Sequence, residues 1–308
     1  MDYDIISFGC LSQDIIYSLP FFPGINSECF IKERVKYYGG AAANFACYAS
    51  FYGDLKVGLV SKTGDDNDSK DLIKRIKVYD VCTNGITKDK NRESSQILTL
   101  KTLDGNRKFL VYLGALEALS IEDIPLDYIS NSKLFYIAPI NAMIHEKLIE
   151  LAYKNEKLIA FNPGSIYVEQ ESINTLIPLI KIVDFLFVNE YEALRYSNAP
   201  DIKSAGFKLC SLGAKNVIIT QGKAGCSVFY ENDFRFFAGH KVQKLDTIGA
   251  GDAFAAGFIS NFLKTGNIYS AANAGNLFGA YRVKSQEMCK LNPNKKDFME
   301  FSQQFSIN

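Results

Sequence analysis

The sequence predicts an α/β protein with a mostly parallel central sheet flanked by helices and a small β lid. Two observations carry this expectation. Apolar runs too short for helices, such as Phe185-Leu186-Phe187-Val188, alternate with segments whose apolar residues recur at helical spacing; strands covered on both faces by crossover helices show this pattern. Two regions, 16–38 and 94–113, break the alternation by interleaving polar and aromatic residues, and Asp104-Gly105 punctuates the second as a hairpin turn. These two regions form the expected lid, with an antiparallel edge of the main sheet as the alternative.

Taken in chain order, strands are expected at 3–9, 55–60, 134–138, 157–161, 185–188 and 216–220. Between them, 144–153 places Ile144, Leu148, Leu151 and Ala152 on one helical face. The segment 203–212 does the same with Ala205, Leu209 and Leu212 before a Gly213 stop. No repeat, low-complexity tract or Pro/Gly-rich linker divides the chain, so one α/β domain over 1–308 is expected. Parallel sheets of this kind hold ligands beyond the carboxyl ends of their strands. Residues just after each strand are therefore the first candidates for function.

Composition narrows the class. A chain of 308 residues with 47% apolar and 22% charged residues can bury a large core without disulfides. Lys+Arg and Asp+Glu both number 34, so no net field attracts a polyanion and nucleic-acid binding is not expected. The seven cysteines form no Cys-x-x-Cys pair, and His145 and His240 stand far from any metal-ligand spacing. An odd cysteine count, no charged-apolar leader at Met1 and no membrane-length apolar run give the expectation of a soluble cytoplasmic protein with no membrane partner.

The chemistry concentrates at Asp246-Thr247-Ile248-Gly249-Ala250-Gly251-Asp252. Phe254, Phe258 and Phe262 recur every four residues after it, so a buried helix starts at or just after Gly249-Ala250-Gly251. The first N–H groups of a helix have no intrahelical acceptor, and the dipole favours negative charge there. Small residues let an anion come close, which makes this stretch an expected anion hole. A carboxylate at Asp252 would repel a bound phosphate, unless its task is to touch the group that attacks the phosphate. Alternatively, the glycines form a tight turn and Asp252 merely complements the dipole.

This heptapeptide resembles the C-terminal signature of the ribokinase-like (PfkB) family of carbohydrate and nucleoside kinases. An N-terminal segment, Gly39-Gly40-Ala41-Ala42-Ala43-Asn44-Phe45-Ala46, is similar too and opens a helix ending at Gly53. Together the likeness extends over nearly the whole chain and implies a ribokinase-like fold. It implies Asp252 as catalytic base, with Gly249, Ala250 and Gly251 as the hole for the transferred phosphoryl group. It further implies acceptor binding by Asp14, Gly39, Gly40 and Asn44; by spacing alone Asp14 is a turn aspartate and Asn44 a solvent-facing or capping residue.

Asn189 and Glu192, spaced as a helix capping box, also look like the family's Asn-x-x-Glu motif, which organises Mg²⁺ and phosphates through water. The resemblance places Thr220, Gly222 and Gly225 at the ATP phosphates and Asn276, in an Ala-rich helix at 269–280, near the adenine. It puts a monovalent cation such as K⁺ near Asp246. Asn162-Pro163-Gly164, after the 157–161 strand, is a weaker candidate of the same kind. The implied cofactors are thus ATP and Mg²⁺, with K⁺ in addition.

Competing motifs are missing from the sequence. There is no Gly-x-x-x-x-Gly-Lys-[Ser/Thr], no complete Gly-x-Gly-x-x-Gly, and no nucleophile elbow. The expected activity is transfer of the ATP γ-phosphoryl group to a hydroxyl of a ribonucleoside or sugar. The lysine common in true ribokinases is absent from Gly40-Ala41-Ala42-Ala43-Asn44, which weighs against ribose. Phe21, Phe22, Phe30, Tyr37 and Tyr38 could stack on a nucleobase; packing between lid and core explains them equally well. A ribonucleoside is the first expectation, a ribose or hexose kinase the second, and a non-catalytic nucleotide- or sugar-binding regulator the third. Uncovered lid edges and their aromatics further suggest a homodimer through paired lids.

Overall fold

The computed structural model describes residues 2–169, 173–243, 247–285 and 293–305. Thirteen strands are described, in chain order β1 (Tyr3–Phe8), β2 (Ser12–Leu19), β3 (Glu33–Gly39), β4 (Val57–Gly64), β5 (Cys82–Asp89), β6 (Gln96–Thr102) and β7 (Arg107–Tyr112). They continue as β8 (Ser132–Ile137), β9 (Leu158–Phe161), β10 (Phe185–Asn189), β11 (Asn216–Thr220), β12 (Gly225–Tyr230) and β13 (Asp233–Ala238). Nine form one sheet in the order β13-β12-β11-β10-β9-β8-β1-β4-β5, and four form a second sheet in the order β3-β2-β6-β7.

The large sheet is parallel from β11 through β5 and turns antiparallel only at the β12–β13 edge. The Ala142–Lys154 and Ile202–Ser211 helices cover it where periodicity places them, each starting at a side-chain cap, Asn141 and Asp201. Apolar side chains from the two faces form separate buried clusters. On one face the four-residue rhythm of phenylalanines is explained: Phe254 and Phe258 pack edge-on against Phe187, and Phe258 and Phe262 against Phe185. That packing fixes the Ala250–Thr265 helix over the sheet, with its N-terminus at the strands' carboxyl ends.

The four-stranded sheet is separate from the main one, so the alternative of an antiparallel edge on the main sheet does not hold. Its centre, β2 beside β6, is parallel. The lid begins at Ser12 rather than 16, because the chain crosses from β1 after only three residues. Asp14 consequently lies inside a lid strand and is not a turn aspartate at the end of the first strand. The 55–60 strand runs instead from Val57 to Gly64, since Asp54 turns in the left-handed region (φ 54°) and the continuation through buried Ser61 and Thr63 carries no apolar signal. Among the strands, three carried no expectation: β5 and the pair that forms the β12–β13 hairpin. The helix opened at Gly39-Gly40 runs Ala41–Cys47 and then widens into a π turn, Tyr48–Tyr52, before Gly53.

Candidate active site

The Ala250–Thr265 helix starts at Gly249, which sits in the left-handed region (φ 72°) that glycine occupies without steric cost. The Ala250 amide donates back to the Thr247 carbonyl at 3.2 Å and the Ala253 amide to Gly249, closing the first turn. Of the expected anion-hole amides, Ala250's is therefore committed to the turn. Gly251 is exposed, and a side-chain carbon there would meet no atom within 4 Å. An anion can thus approach the helix start closely at Gly251, on the end favoured by the dipole.

Asp252 follows, half-buried in the first turn. Its Oδ2 accepts a hydrogen bond of 2.8 Å from Nδ2 of Asn44. Burial raises the Asp252 carboxyl to about 6, against the opposing pull of the Asn44 amide and the charge of buried Arg282. This is a stronger base than the helix dipole alone would leave, and it is still ionised at neutral pH. Asn44 is therefore neither solvent-facing nor capping: it is buried in the Ala41–Cys47 helix and aims its amide across the molecule at Asp252.

Asp14 is buried on β2, where Oδ1 accepts from the Ser12 hydroxyl at 2.7 Å. Burial, opposed by that hydroxyl and reinforced by the nearby Asp252 charge, lifts its carboxyl to about 7. Gly39 makes room for it, since a side-chain carbon there would fall 2.7 Å from Asp14 Oδ2. Gly40 has φ 99° and would place such a carbon 2.2 Å from the Cys10 carbonyl oxygen, so only glycine fits. The paired glycines thus let the lid strand, the β1–β2 crossing and the Asn44 helix meet at one point.

A cleft of about 540 Å³ opens beside this point. Gly251 and Asp252 line it together with Asn189 and Glu192 from the end of β10 and Thr220 from the end of β11. Asn189 and Glu192 do form the capping box: the Asn189 side chain accepts from the Glu192 amide and Glu192 Oε2 from the Asn189 amide, both at 2.9 Å. Burial nevertheless holds the Glu192 carboxyl above its usual range. Both residues face the cleft as well as capping the helix.

Other expected residues stand apart from the cleft lining. Gly222 (φ 56°) lies in the turn after β11 with open space around it, while Gly225 (φ 120°) is held against the β13 backbone, where a side-chain carbon would meet Phe237 O at 2.0 Å. Asn276 is buried and spends its amide on the Phe237 and Ala238 carbonyls, at 3.1 and 3.3 Å. Asp246 lies outside the described residues. Among the described residues, no three His, Cys, Asp or Glu side chains converge as a metal-binding group. One buried carboxylate beside a water-accessible cleft suits a cation that keeps its waters and reaches the protein through one or two carboxylates and bound phosphates, as Mg²⁺ does.

Several lining residues escaped the sequence reading: Ile97, Val111 and Leu113 come from the lid, and Pro139 and Ile140 from the turn after β8. Asn162 and Gly164, the weaker candidates after β9, line the cleft as well. The strand-end rule points at the last two pairs. Buried His145 holds the β8 turn: its Nε2 accepts from the Ile140 amide at 3.1 Å, and burial keeps the ring neutral by lowering it to about 4. The lid aromatics are placed differently from expectation. Phe21 and Phe30 are 55% and 87% exposed, Tyr38 bonds Asp71 and lies under Arg75, and none of the five lines the cleft. Tyr37 is nonetheless opposite Asp14 on the lid, in the same row as Ile97 and Val111. Residues paired in this way share a face.

A helix start open at Gly251, a hydrogen-bonded carboxylate beside it and apolar lid residues lining the same cleft are the parts that a lidded α/β phosphotransferase needs. The model of the pfkB family of carbohydrate kinases matches residues 11–295, and the chain belongs to that family. It is a sugar or nucleoside kinase. The chain is 33% identical over 243 residues, 75% of its length, to a cytidine kinase of Thermococcus kodakarensis, covering 82% of that protein. In fold it is similar to the nucleoside kinase of Methanocaldococcus jannaschii (TM-score 0.84, 24% identity, 98% of each chain). It is similar also to Arabidopsis thaliana ribokinase complexed with ribose and ATP (TM-score 0.83, 19% identity, 98% of this chain and 99% of that one). No described helix is long and apolar enough to cross a membrane.

Proposed function

We propose that the protein transfers the γ-phosphoryl group of ATP, with Mg²⁺, to a hydroxyl of a ribonucleoside. The observation that carries this reading is the 2.8 Å bond from Asn44 to Asp252 at the start of a helix with an open Gly251. It joins a candidate base, its orienting amide and an anion-accepting backbone in one place. Asp252 takes the proton of the attacking hydroxyl, and proton removal by such a group need only be late in phosphoryl transfer. Its neighbouring amides stabilise the charge that develops on the transferred group. Bound Mg²⁺ would supply charge neutralisation of the phosphates, held through water by Glu192 with Asn189 fixing that carboxylate. Thr220 and Gly222, at the end of β11 and just beyond it, flank the donor phosphates; Asn276 and Gly225 shape that wall from behind.

Asp14 holds the acceptor diol, since a carboxylate accepts from two hydroxyls at once. A nucleoside is favoured over a simple sugar by the cleft's roof: Ile97, Val111 and Leu113 offer apolar surface that a base covers and a polyol does not. Tyr37, across from Asp14 in the same row, adds an aromatic ring next to the diol site. The identity with the cytidine kinase of Thermococcus points the same way. The outer edge of the lid, strand β7 with Leu110 and Tyr112 exposed, pairs with a second copy.

ADP release measured over a panel of ribonucleosides, ribose and hexoses tests the reading. It predicts turnover on at least one nucleoside at a kcat/KM ten times or more above any sugar. A sugar as best acceptor would overturn the substrate; ATP binding with no release on any acceptor would overturn the activity.

A further inference from the structure

His145 is fully buried in the Ala142–Lys154 helix and does not line the cleft, yet it touches the backs of two turns that do. The first is the turn after β8. There Nε2 lies 3.0 Å from the Ala138 carbonyl oxygen and 3.1 Å from the Ile140 amide nitrogen, one on each side of Pro139. The second follows β9. Nδ1 lies 3.0 Å from the hydroxyl of buried Tyr167, and Gly164, Ser165 and Ile166 just before it line the cleft with Pro139 and Ile140. The two turns also touch, since a side-chain carbon on Gly164 would meet Pro139 Cγ at 2.6 Å. The Tyr196 hydroxyl donates to the Gly164 carbonyl and holds the second turn in place.

Packing alone does not ask for an imidazole here. Phe161 meets the ring edge-on and Tyr167 stacks beside it, with centroids 5.0 and 5.9 Å away, and an aromatic hydrocarbon would suit such neighbours as well. What a hydrocarbon cannot supply is the acceptor that the amide of buried Ile140 uses. Burial keeps the ring neutral, so it carries a single N–H, and each placement of that hydrogen ties both turns. On Nδ1 it is donated to the Tyr167 hydroxyl while Nε2 accepts from Ile140. On Nε2 it is donated to Ala138 while Nδ1 accepts from Tyr167. The link holds in either tautomer.

The order of the strands gives these turns their place in the cleft. β8 pairs with β1, whose chain runs on through Gly9 and Cys10 to Asp14 on β2. Ile140 packs at that junction: a side-chain carbon on Gly9 would lie 3.4 Å from Ile140 Cγ1, and Cys10 and Ile140 line the cleft together. Thr220, assigned to the donor, ends β11, three strands from β8, which is roughly 14 Å at the spacing of neighbouring strands. A displaced β8 turn is therefore felt by the acceptor before the nucleotide.

We propose that His145 is a positioning residue for the acceptor, tying the 138–140 turn to the 164–167 segment so that Pro139, Ile140 and Ile166 hold the wall against which the acceptor lies. The inference rests on the reading of the Asp14 half of the cleft as the acceptor side. The imidazole exchanges no proton with substrate; it acts through the two turns alone.

His145→Phe keeps a ring among its aromatic neighbours and removes both nitrogens. It is expected to raise the acceptor KM by about tenfold or more and to leave the ATP KM within about threefold of wild type. His145→Gln, whose amide can accept from Ile140 and donate to Ala138, should bring the acceptor KM back to within about threefold. Tyr167→Phe removes one hydroxyl and tests the same link should His145→Phe fail to fold; its acceptor KM is expected to rise at least about threefold. With the wild type active, an acceptor KM within about twofold of wild type in both phenylalanine variants would overturn the proposal. A rise in the ATP KM equal to or larger than that of the acceptor would overturn it too, as would a lowered melting temperature with both KM values unmoved. A wild type that turns over no acceptor would instead overturn the kinase reading and this inference with it.

Discussion

Asn44 Nδ2 and Asp252 Oδ2 lie 2.8 Å apart although 208 positions separate them in the chain. The bond joins the two segments whose sequences resemble the family's signatures. It also sets chemistry: a donor to the ionised form holds the Asp252 carboxyl below where burial alone would push it.

Replacing Asp252 by Asn should remove the base while preserving the size of the side chain. Turnover is expected to fall by about a thousandfold or more, with affinity for an ATP analogue by calorimetry within a few-fold of wild type. Normal turnover in Asp252→Asn would dismiss the base assignment.

Asn44→Leu keeps bulk and removes the donor. Asp252 then becomes harder to ionise, so the acid limb of kcat/KM is expected to move to higher pH by about one unit, with a loss of about tenfold at pH 7. A pH–rate series on the two proteins measures this directly. An unshifted limb would separate Asn44 from the ionisation of the base.

Stability should depend on pH in the opposite sense from activity. Asp252 and Asp14 are raised to about 6 and about 7 in the folded protein, above the ordinary carboxylate value. The folded state therefore takes up these protons earlier than the unfolded one as pH falls, and ionising them at higher pH works against folding. Asp252→Asn is accordingly expected to melt above wild type at pH 8, by roughly 4 °C. The gap closes as pH falls through about 6 toward 4. Calorimetric scans at four or five pH values give the comparison, and a gap constant with pH would refute the linkage.

Gly40→Ala tests the meeting point of lid and core. The added carbon would lie 2.2 Å from a backbone oxygen at a φ of 99°, and a loss of about 2–4 kcal/mol is expected in urea unfolding. The same change at Gly222, where nothing lies within 4 Å, keeps only the backbone strain and should cost about 1–2 kcal/mol.

The lid edge makes a separate claim. Light scattering should give the mass of a dimer, reduced to a monomer by Leu110→Glu, which places a charge on an exposed apolar strand. A monomeric wild type at working concentration would remove paired lids from the account.

Sequence pattern revealed the parts of this protein that local chemistry dictates. Phe254, Phe258 and Phe262 announced a buried helix, and it packs through those rings on Phe185 and Phe187. Asn189 and Glu192 announced a cap, and the cap forms. What remained hidden depends on register across the fold. Asp14 looks like a turn residue until β2 pairs with β3 and β6, and Ile97 and Val111 reach the cleft only through that same pairing. Arg282 reads as one more charge near a helix end, yet it is buried and its charge opposes the rise that burial gives the Asp252 carboxyl. The lid aromatics Phe21, Phe22 and Phe30 misled because they fall in the connection between β2 and β3 and not on a strand, and Tyr38, on β3, turns to Asp71 and Arg75.

The most direct test is a crystal structure with a non-hydrolysable ATP analogue, Mg²⁺ and the best nucleoside acceptor. The account predicts the terminal phosphorus at the Gly251 end of the helix and an acceptor hydroxyl within about 3.2 Å of an Asp252 carboxylate oxygen. An acceptor hydroxyl held by another side chain, with Asp252 facing neither it nor the phosphate, would contradict it.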